Sequence, residues 1–498
     1  MAHAGPAWVA EVLDRGVEAI ARASRDPASS APRRSWRRRA WQVLVALSLV
    51  ALAVAGGVWF AVRDDARDPA TVAAVPSDAV AVPDAVLPEL DTPAPGLAAL
   101  PGSAPAPDPA VLQARLAPLL AAPALGTGLS AEVVDVATGA TLLDTDAQDP
   151  GTPASTAKVL TGLAAVTVLG PDTTITTTVV AGATPGEVVL VGAGDPTLST
   201  TAPSQSYPGA ATVADLAAGV QTALAGVPVT SVVVDNSLFT GPLTASGWGS
   251  EDAPSTYAAP VTATAVDGAR VSPGQTPRSG QPGIDAGTAL AAALGAAGAP
   301  VRLGSAAPGA AVLGSVESAP VERLVEQALT ASDNLLAETL ARQVALATGA
   351  EASFAGAARA VADAVAAAGL DTTGLALSDG SGLSREDRVP ARLLVDVLEA
   401  VADGSVEGAG AVLSGLPIAG YTGTLSDRAD DDPATAPGAV RAKTGTLATT
   451  SALAGLVVTA DGRLLAFALL ADGTTGDVAG AEAALDDVAA ALAGCGCR

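Results

Sequence analysis

Apolar residues dominate residues 41–62, which hold no charge, and then, from about residue 110, fall into the periods that mark helices and strands. The first run follows an arginine cluster, Arg33, Arg34, Arg37, Arg38 and Arg39. At 1.5 Å per residue its roughly 22 residues reach about 33 Å, enough to cross a hydrocarbon core about 30 Å thick. Trp41 and Trp59 lie near its ends as interfacial anchors would, and the arginines place residues 1–40 in the cytoplasm and everything after Arg63 outside. A cleaved signal peptide is the competing reading. The run is longer than a usual signal core, and Gly57-Val58-Trp59-Phe60-Ala61 lacks a clear small-x-small site, so an uncleaved single transmembrane helix is preferred. Residues 63–109 are rich in Pro and Ala, as in Thr92-Pro93-Ala94-Pro95, and predict a semi-stiff spacer without a core.

Helical spacing covers residues 110–125, and alternation over 129–136, a Thr138-Gly139 turn and a return over 141–145 predict a hairpin. Pro153 and Gly170-Pro171 then bracket a helix. Residues 110–170 are read as a first catalytic part. From 171 to 313 the pattern changes to Thr/Val-rich strands and glycine turns, among them a buried strand over 232–236, and predicts a mostly β insert. Residues 314–498 return to the main body. Val321, Leu324, Val325, Ala328 and Leu329 share a helical stripe that Ser332-Asp333-Asn334 interrupts before it resumes over 335–347. Residues 440–446 read as a strand, 452–459 and 464–471 as a hairpin turning at Asp461-Gly462, and 477–493 as a closing helix. The expectation is an α/β fold in which helices flank a sheet.

Composition narrows the chemistry. Aromatics are 2% of the chain, so the cores must be built from Ala, Val and Leu. The one histidine is His3, which excludes a Ser-His-Asp triad and a histidine-built metal site on the body. Cys495 and Cys497 are too close in sequence for an ordinary stabilising bridge, and a frayed tail is expected there. Residues 1–40 hold eight Arg against four Asp or Glu, net +4, which leaves −29 of the formal −25 to the rest; an acidic body argues against nucleic acid as a partner.

Ser155 and Lys158 stand three residues apart at the start of the helix after Pro153, on one face and close to free backbone N–H groups. That is an activated nucleophile in outline. Ser-x-x-Lys alone is common, and its plain reading is a capped helix start. The chain, however, has only two lysines among 26 basic residues, Lys158 and Lys443. Arginine serves solubility and ion pairing but cannot deprotonate, so a retained lysine points to work that needs a shiftable amine. Lys443 opens Lys443-Thr444-Gly445, and Ser332-Asp333-Asn334 lies between the two lysines. Gly192-Ala193-Gly194-Asp195-Pro196 lacks the Gly-Lys-Ser/Thr ending of a phosphate loop and reads as a structural turn.

In order and type these three motifs resemble those of the penicillin-recognising serine enzymes. Gly192 to Leu198, Val234-Asp235-Asn236-Ser237-Leu238-Phe239, Ser332-Asp333-Asn334-Leu335-Leu336-Ala337-Glu338 and Asp379-Gly380-Ser381-Gly382-Leu383-Ser384-Arg385 are further similar to blocks of the penicillin-binding protein 4 type of D-alanyl-D-alanine carboxypeptidase/endopeptidase, peptidase family S13. The resemblance covers about residues 110–490. It implies a β-lactamase-like catalytic domain split by an insert, and hydrolysis of peptidoglycan stem peptides through an acyl-enzyme on Ser155, with no metal or cofactor and with β-lactams as inhibitors. It assigns Lys158 as base, Ser332 as proton relay, Asn334 to the substrate amide, and Lys443 with Thr444 to the terminal carboxylate. Gly445 completes that strand motif, and the N–H groups of Ser155 and Thr446 form the oxyanion hole. Bringing Lys158 from about 10.4 to about 7 costs roughly 4 kcal/mol, which burial and Lys443 as a nearby cation are expected to supply. A β-lactamase or esterase on the same fold would need a dedicated deacylation base, and no convincing one is seen. A non-catalytic wall-binding scaffold would not need the intact motifs.

The arginine cluster ahead of one apolar span generates a test of topology. Protease added to cells stripped of their wall should release a fragment that begins within residues 63–109, whereas full protection of the body would overturn the orientation.

Overall fold

The computed structural model describes residues 104–428, 436–474 and 476–497. The expected membrane span at 41–62 lies outside these residues, as do the basic segment and most of the spacer. Among the described residues no helix is long and apolar enough to cross a membrane.

Asp108 caps α1 (Pro109–Leu120), its carboxylate accepting from the N–H groups of Ala110 and Val111 at 2.8 and 3.1 Å. The hairpin of β1 (Gly128–Asp135) and β2 (Ala140–Thr145) follows, then the two-residue β3 (Pro150–Gly151) and α2 (Lys158–Leu169). The insert contains β4 (Thr176–Ala181), β5 (Glu187–Val191), α3 (Val213–Leu224), β6 (Ser231–Asp235), α4 (Pro282–Ala293), β7 (Val301–Leu303) and β8 (Val312–Glu317). The main body resumes with α5 (Val321–Thr330), α6 (Asn334–Ala347), α7 (Phe354–Ala367), β9 (Val389–Pro390) paired to β3, α8 (Ala391–Ala402) and α9 (Gly410–Gly415). It closes with β10 (Val440–Leu447), β11 (Thr450–Val458), β12 (Leu464–Asp472) and α10 (Val478–Ala493).

Five antiparallel strands in the order β10-β11-β12-β1-β2 form the main sheet. Along β12 the side chains alternate between two cores: Leu465, Phe467, Leu469 and Ala471 pack with Leu112, Leu116, Leu485 and Val488 of α1 and α10, and Ala466, Ala468 and Leu470 pack with the helices on the other face. A strand buried on both faces needs a continuous apolar run, which explains why β12 reads so strongly in the sequence. The nucleophile helix α2 lies in the second layer, every residue from Lys158 to Val166 buried.

The insert differs from the expectation of a mostly β unit. Its sheet runs β7-β6-β5-β4-β8 with β5, β6 and β7 parallel. Parallel neighbours cannot be joined by a tight turn, so α3 and α4 serve as crossovers, covering a core of Val188, Leu190, Val232, Leu216, Val220 and Leu290. The helical pattern of α4 is masked by small residues, one of them needed for contact: a Cβ on Gly287 would come within 2.6 Å of the Val234 and Val301 side chains.

The tail also differs. Cys495 and Cys497 are joined by a disulfide and buried, and the Cys497 carbonyl accepts from the Asp108 N–H at 2.8 Å. The end of the described chain is therefore tied to the cap of α1.

At the far end of β1, Arg463 holds Asp135 with two bonds, Nε at 2.8 Å and Nη2 at 2.7 Å, and both residues are buried. Asp135→Ala leaves that guanidinium without its partner and should cost about 3 kcal/mol of stability. Urea unfolding checks this, and an unchanged midpoint would show that the pair does not clamp the sheet.

Candidate active site

The nucleophile turn is a short 3-10 segment, Ala154–Ala157, that runs directly into α2. Ser155 and Lys158 thus straddle the change from 3-10 to α geometry, at the i, i+3 spacing that puts them on one face. Ala154 holds φ at +47°, and Thr156 Oγ1 donates to the Pro153 carbonyl at 2.7 Å, fixing the turn. The Lys158 Nζ donates to Ser155 Oγ at 2.8 Å, to Asn334 Oδ1 at 2.6 Å and to the Ser381 carbonyl at 2.7 Å. All three protons of the ammonium form have acceptors, and none of the three acceptors is a carboxylate.

Lys158 is 1% exposed, and burial pulls its pKa down to about 8 against the opposing pull of Asp379, Glu338, Asp333 and Asp387. Burial, the first of the two expected contributions, leads; the repulsion between the two lysines is expressed at Lys443 instead. Lys443 is itself buried, with its Nζ donating to the Thr444 carbonyl at 2.9 Å, and burial followed by the charge of Lys158 holds it well below the ordinary lysine range.

Ser332-Asp333-Asn334 lies between α5 and α6, as the broken helical stripe predicts, with Ser332 in the left-handed region at φ +53°. Asn334 begins α6, and its Nδ2 donates to the Tyr257 carbonyl of the insert at 3.2 Å, so both ends of its amide are engaged. Among the described residues no hydrogen bond joins the Ser332 side chain to Ser155 or Lys158, although Ser332 and Ser155 line the same cavity. Asp333, for which the sequence offered no role, caps α6 through the Leu336 N–H at 3.2 Å. Its Oδ2 accepts from Tyr207 at 2.7 Å, Arg278 at 3.2 Å and Arg270 at 3.5 Å, all three from the insert. Despite the cost of its burial, those two guanidinium groups hold the Asp333 carboxyl well below the usual carboxylate range.

β10 is the edge strand that passes the nucleophile turn. A Cβ on Gly445 would lie 2.7 Å from the Pro153 carbonyl oxygen, so glycine permits the approach. The Ala442 N–H donates outward to Pro417 at 2.9 Å, and strand alternation puts the N–H groups of Thr444 and Thr446 on the same open edge. Thr444 Oγ1 lies 2.7 Å from Thr424 Oγ1, and Thr446 Oγ1 donates to Glu482 Oε1 at 2.8 Å.

Ser155, Ser332, Asn334, Thr424, Thr444 and Thr446 line an open cavity of about 680 Å³ together with Asp252, Tyr257, Arg385 and Glu482, whereas the buried Lys158 and Lys443 do not line it. The insert contributes Asp252, whose carboxylate accepts from Arg385 at 2.8 Å and from the Tyr257 hydroxyl at 2.8 Å. Sequence reasoning missed this wall, since the residues are far apart in the chain and share no motif spacing. It also missed Glu338, buried one turn beyond Asn334, whose two oxygens each accept from the Gly380 N–H at 3.1 Å. Burial, and then Asp379, push the pKa of Glu338 up. Its signal was available: Glu338 follows Asn334 by four residues on one helical face.

Comparison with known proteins identifies the family and the fold. The family model "D-Ala-D-Ala carboxypeptidase 3 (S13) family" matches residues 112–284 and 274–492. Carboxypeptidase DacB of Mycolicibacterium smegmatis is 40% identical over 432 residues, spanning 84% of this chain and 92% of that protein. Penicillin binding protein 4 (dacB) from Haemophilus influenzae shares the fold with a TM-score of 0.60 at 22% identity, covering 76% of this chain and 98% of that one. The same protein complexed with a β-lactam gives a TM-score of 0.56 at 20% identity, with 75% and 97% covered.

If the Lys158 amine is the proton acceptor, only its neutral form works. The rate at which Ser155 takes an acyl group should therefore rise with pH through about 8. Stopped-flow acylation across pH checks this; a midpoint near the ordinary lysine value of about 10.4 would remove the amine from that role.

Proposed function

From the premise that the chain belongs to the D-Ala-D-Ala carboxypeptidase 3 (S13) family, we propose a residue-level mechanism for its hydrolase activity. The protein is a serine-type D-Ala-D-Ala carboxypeptidase of the penicillin-recognising class, acting on peptidoglycan stem peptides. The observation that carries the mechanism is the 2.8 Å bond from a buried, pKa-lowered Lys158 to Ser155.

Ser155 Oγ attacks the carbonyl of the D-Ala-D-Ala bond as its proton passes to the neutral Lys158 amine. The ammonium so formed is held by Asn334 Oδ1 and the Ser381 carbonyl, which are already in place. Charge developing on the carbonyl oxygen falls to the N–H groups of Ser155 and Thr446, where preorganised donors contribute most to the rate. Ser332 relays the proton to the leaving amine, and water then clears the acyl-enzyme.

Lys443 and Thr444 receive the terminal carboxylate. Because Lys443 is held below its usual range in the free site, an arriving carboxylate favours its protonation, coupling substrate charge to the charge of the site. Asn334 orients the substrate amide, sharing its Nδ2 with the Tyr257 carbonyl. Carboxypeptidase and endopeptidase reactions differ only in what carries the leaving amine. A β-lactam, such as the Haemophilus protein binds, would acylate Ser155 and stall there. Residues 41–62 are proposed to anchor this body outside the cell membrane, on the support of the arginine cluster before that run.

Replacement of each lysine by arginine separates base from cation. Labelled benzylpenicillin should form a slowly released adduct that maps to Ser155. Lys158→Arg should slow its formation by about 10²-fold or more, the usual worth of general-base help. Lys443→Arg should retain measurable acylation, whereas Lys443→Ala should lose affinity for the carboxylate. Equal loss in the two arginine variants, or an adduct elsewhere, would reverse the assignment.

A further inference from the structure

The three acceptors of the Lys158 amine have different supports. Ser155 is held by its own turn, and Asn334 by α6 and the Tyr257 carbonyl. The third, the Ser381 carbonyl, belongs to the loop over residues 379–384, which has no regular secondary structure of its own. What shapes that loop is one fully buried carboxylate. Asp379 Oδ1 accepts from the N–H groups of Ser381 at 3.0 Å and Gly382 at 2.6 Å, and Oδ2 accepts from the Ser384 N–H at 2.7 Å. The loop is wound around its own first side chain. From below, Glu338 accepts from the Gly380 N–H, and Thr161 Oγ1 donates to the Gly380 carbonyl at 2.6 Å. On the other side Gly382 sits so near the Ala154 carbonyl that a Cβ would collide with it, so the loop is pressed against the nucleophile turn.

Two further bonds join the loop to the insert, and in one of them Ser384 Oγ donates to the Ser246 carbonyl at 2.7 Å. Trp248 of the insert donates its indole Nε1–H to Asp379 Oδ2 at 2.7 Å and packs edge-on against Phe354 at 5.4 Å between ring centroids. Trp248 does not line the cavity of Ser155. Its polar atom is spent on Asp379, two residues before the carbonyl that receives the Lys158 proton.

We propose that Trp248 and Asp379 are positioning residues for acylation, a relay by which the insert fixes the Ser381 carbonyl against the Lys158 amine. The proposal rests on the reading of Lys158 as the base. As Lys158 takes the proton of Ser155, the ammonium needs a fixed acceptor at once, and a carbonyl locked by Asp379 supplies one without reorganisation. The charged groups around that amine are Asp379 and Asp387 from the loop and its continuation, Glu338 and Asp333 from α6 and its cap, and Lys443 from β10. Loss of the indole donor loosens the Asp379 hub and with it the acceptor that favours the ammonium. The neutral amine is then reached at lower pH, but it is a weaker base.

Trp248→Phe tests the relay, since it keeps an aromatic ring against Phe354 and removes only the N–H. With active sites counted by labelled benzylpenicillin, the limiting acylation rate should fall about tenfold, the order expected for a hydrogen bond to a charged group. The midpoint of its pH profile should also move below that of the unaltered protein, with the concentration dependence little changed. A purely structural tryptophan would lower the melting temperature and the fraction of active sites, and leave rate and midpoint of the surviving sites as they were; that result overturns the proposal. Should Trp248→Phe fail to fold, Asp379→Asn keeps one acceptor oxygen, for the Ser381 and Gly382 N–H groups, gives up the bonds from Ser384 and Trp248, and drops the charge facing Lys158. Its midpoint must then fall, and an unmoved midpoint overturns the proposal equally. Lys158→Arg, run alongside, reports on the base itself. If that variant acylates normally the mechanism fails, whatever the relay does.

Discussion

A primary amine kept inside a protein without a direct carboxylate partner is the constraint around which this site is arranged. Lys158 donates to a hydroxyl, an amide oxygen and a backbone carbonyl, all neutral. A carboxylate in that first ring of contacts would hold the ammonium form and remove the base at neutral pH. The acids are present one layer further out, where Asp379, Glu338, Asp333 and Asp387 oppose the desolvation of the amine without bonding to it. Those acids are themselves managed by burial: Glu338 and Asp387 are pushed upward, towards their neutral forms, while Asp333 is kept ionised by two arginines. The result is an amine whose pKa is brought down to about 8 while three neutral acceptors remain for its protons.

The insert belongs to this arrangement as much as the catalytic layers do. Asp333 faces the catalytic helix with one oxygen and receives Tyr207, Arg270 and Arg278 with the other. Arg342, fully buried beneath Glu338, has ring contacts to Phe239 and Phe354 at 5.2 and 4.0 Å, the first of which is another insert residue. A charge buried in this way is costly to orphan, so the insert and the catalytic part hold each other in register through groups that neither could leave unpaired.

Much of this was legible from residue order. The strands of the main sheet were readable because the partition between two cores demands apolar residues at nearly every position of β11 and β12, and the three motifs located Ser155, Lys158, Ser332, Asn334 and Lys443 because chemistry fixes both type and spacing. What was not legible has physical reasons too. α4 was hidden because Gly and Ala, among them Gly287 packed against β6 and β7, blur its stripe, whereas the stripe of α3, Val213, Leu216, Ala217 and Val220, was passed over in a segment otherwise rich in strands and turns. The tail looked frayed because the contact that ties it down, from the Asp108 N–H to the Cys497 carbonyl, joins residues far apart in the chain. Asp379 and Trp248 are 131 positions apart, and no local pattern couples an indole to a carboxylate at that range.

The pairing of β1 with β12 bears on how the enzyme comes into being. Gly128 faces Asp472 and Asp135 faces Leu465, so the centre of the sheet joins segments more than three hundred positions apart, while every strand of the insert finds its neighbours within residues 176–317. A chain delivered from its N-terminus can complete the insert early, when Ser155 has already been made but the edge strand that carries Thr446 has not. Long-range closure of this kind is slow and comes late. The turn that carries Ser155 therefore gains the β10 edge beside it only in the event that seals the sheet.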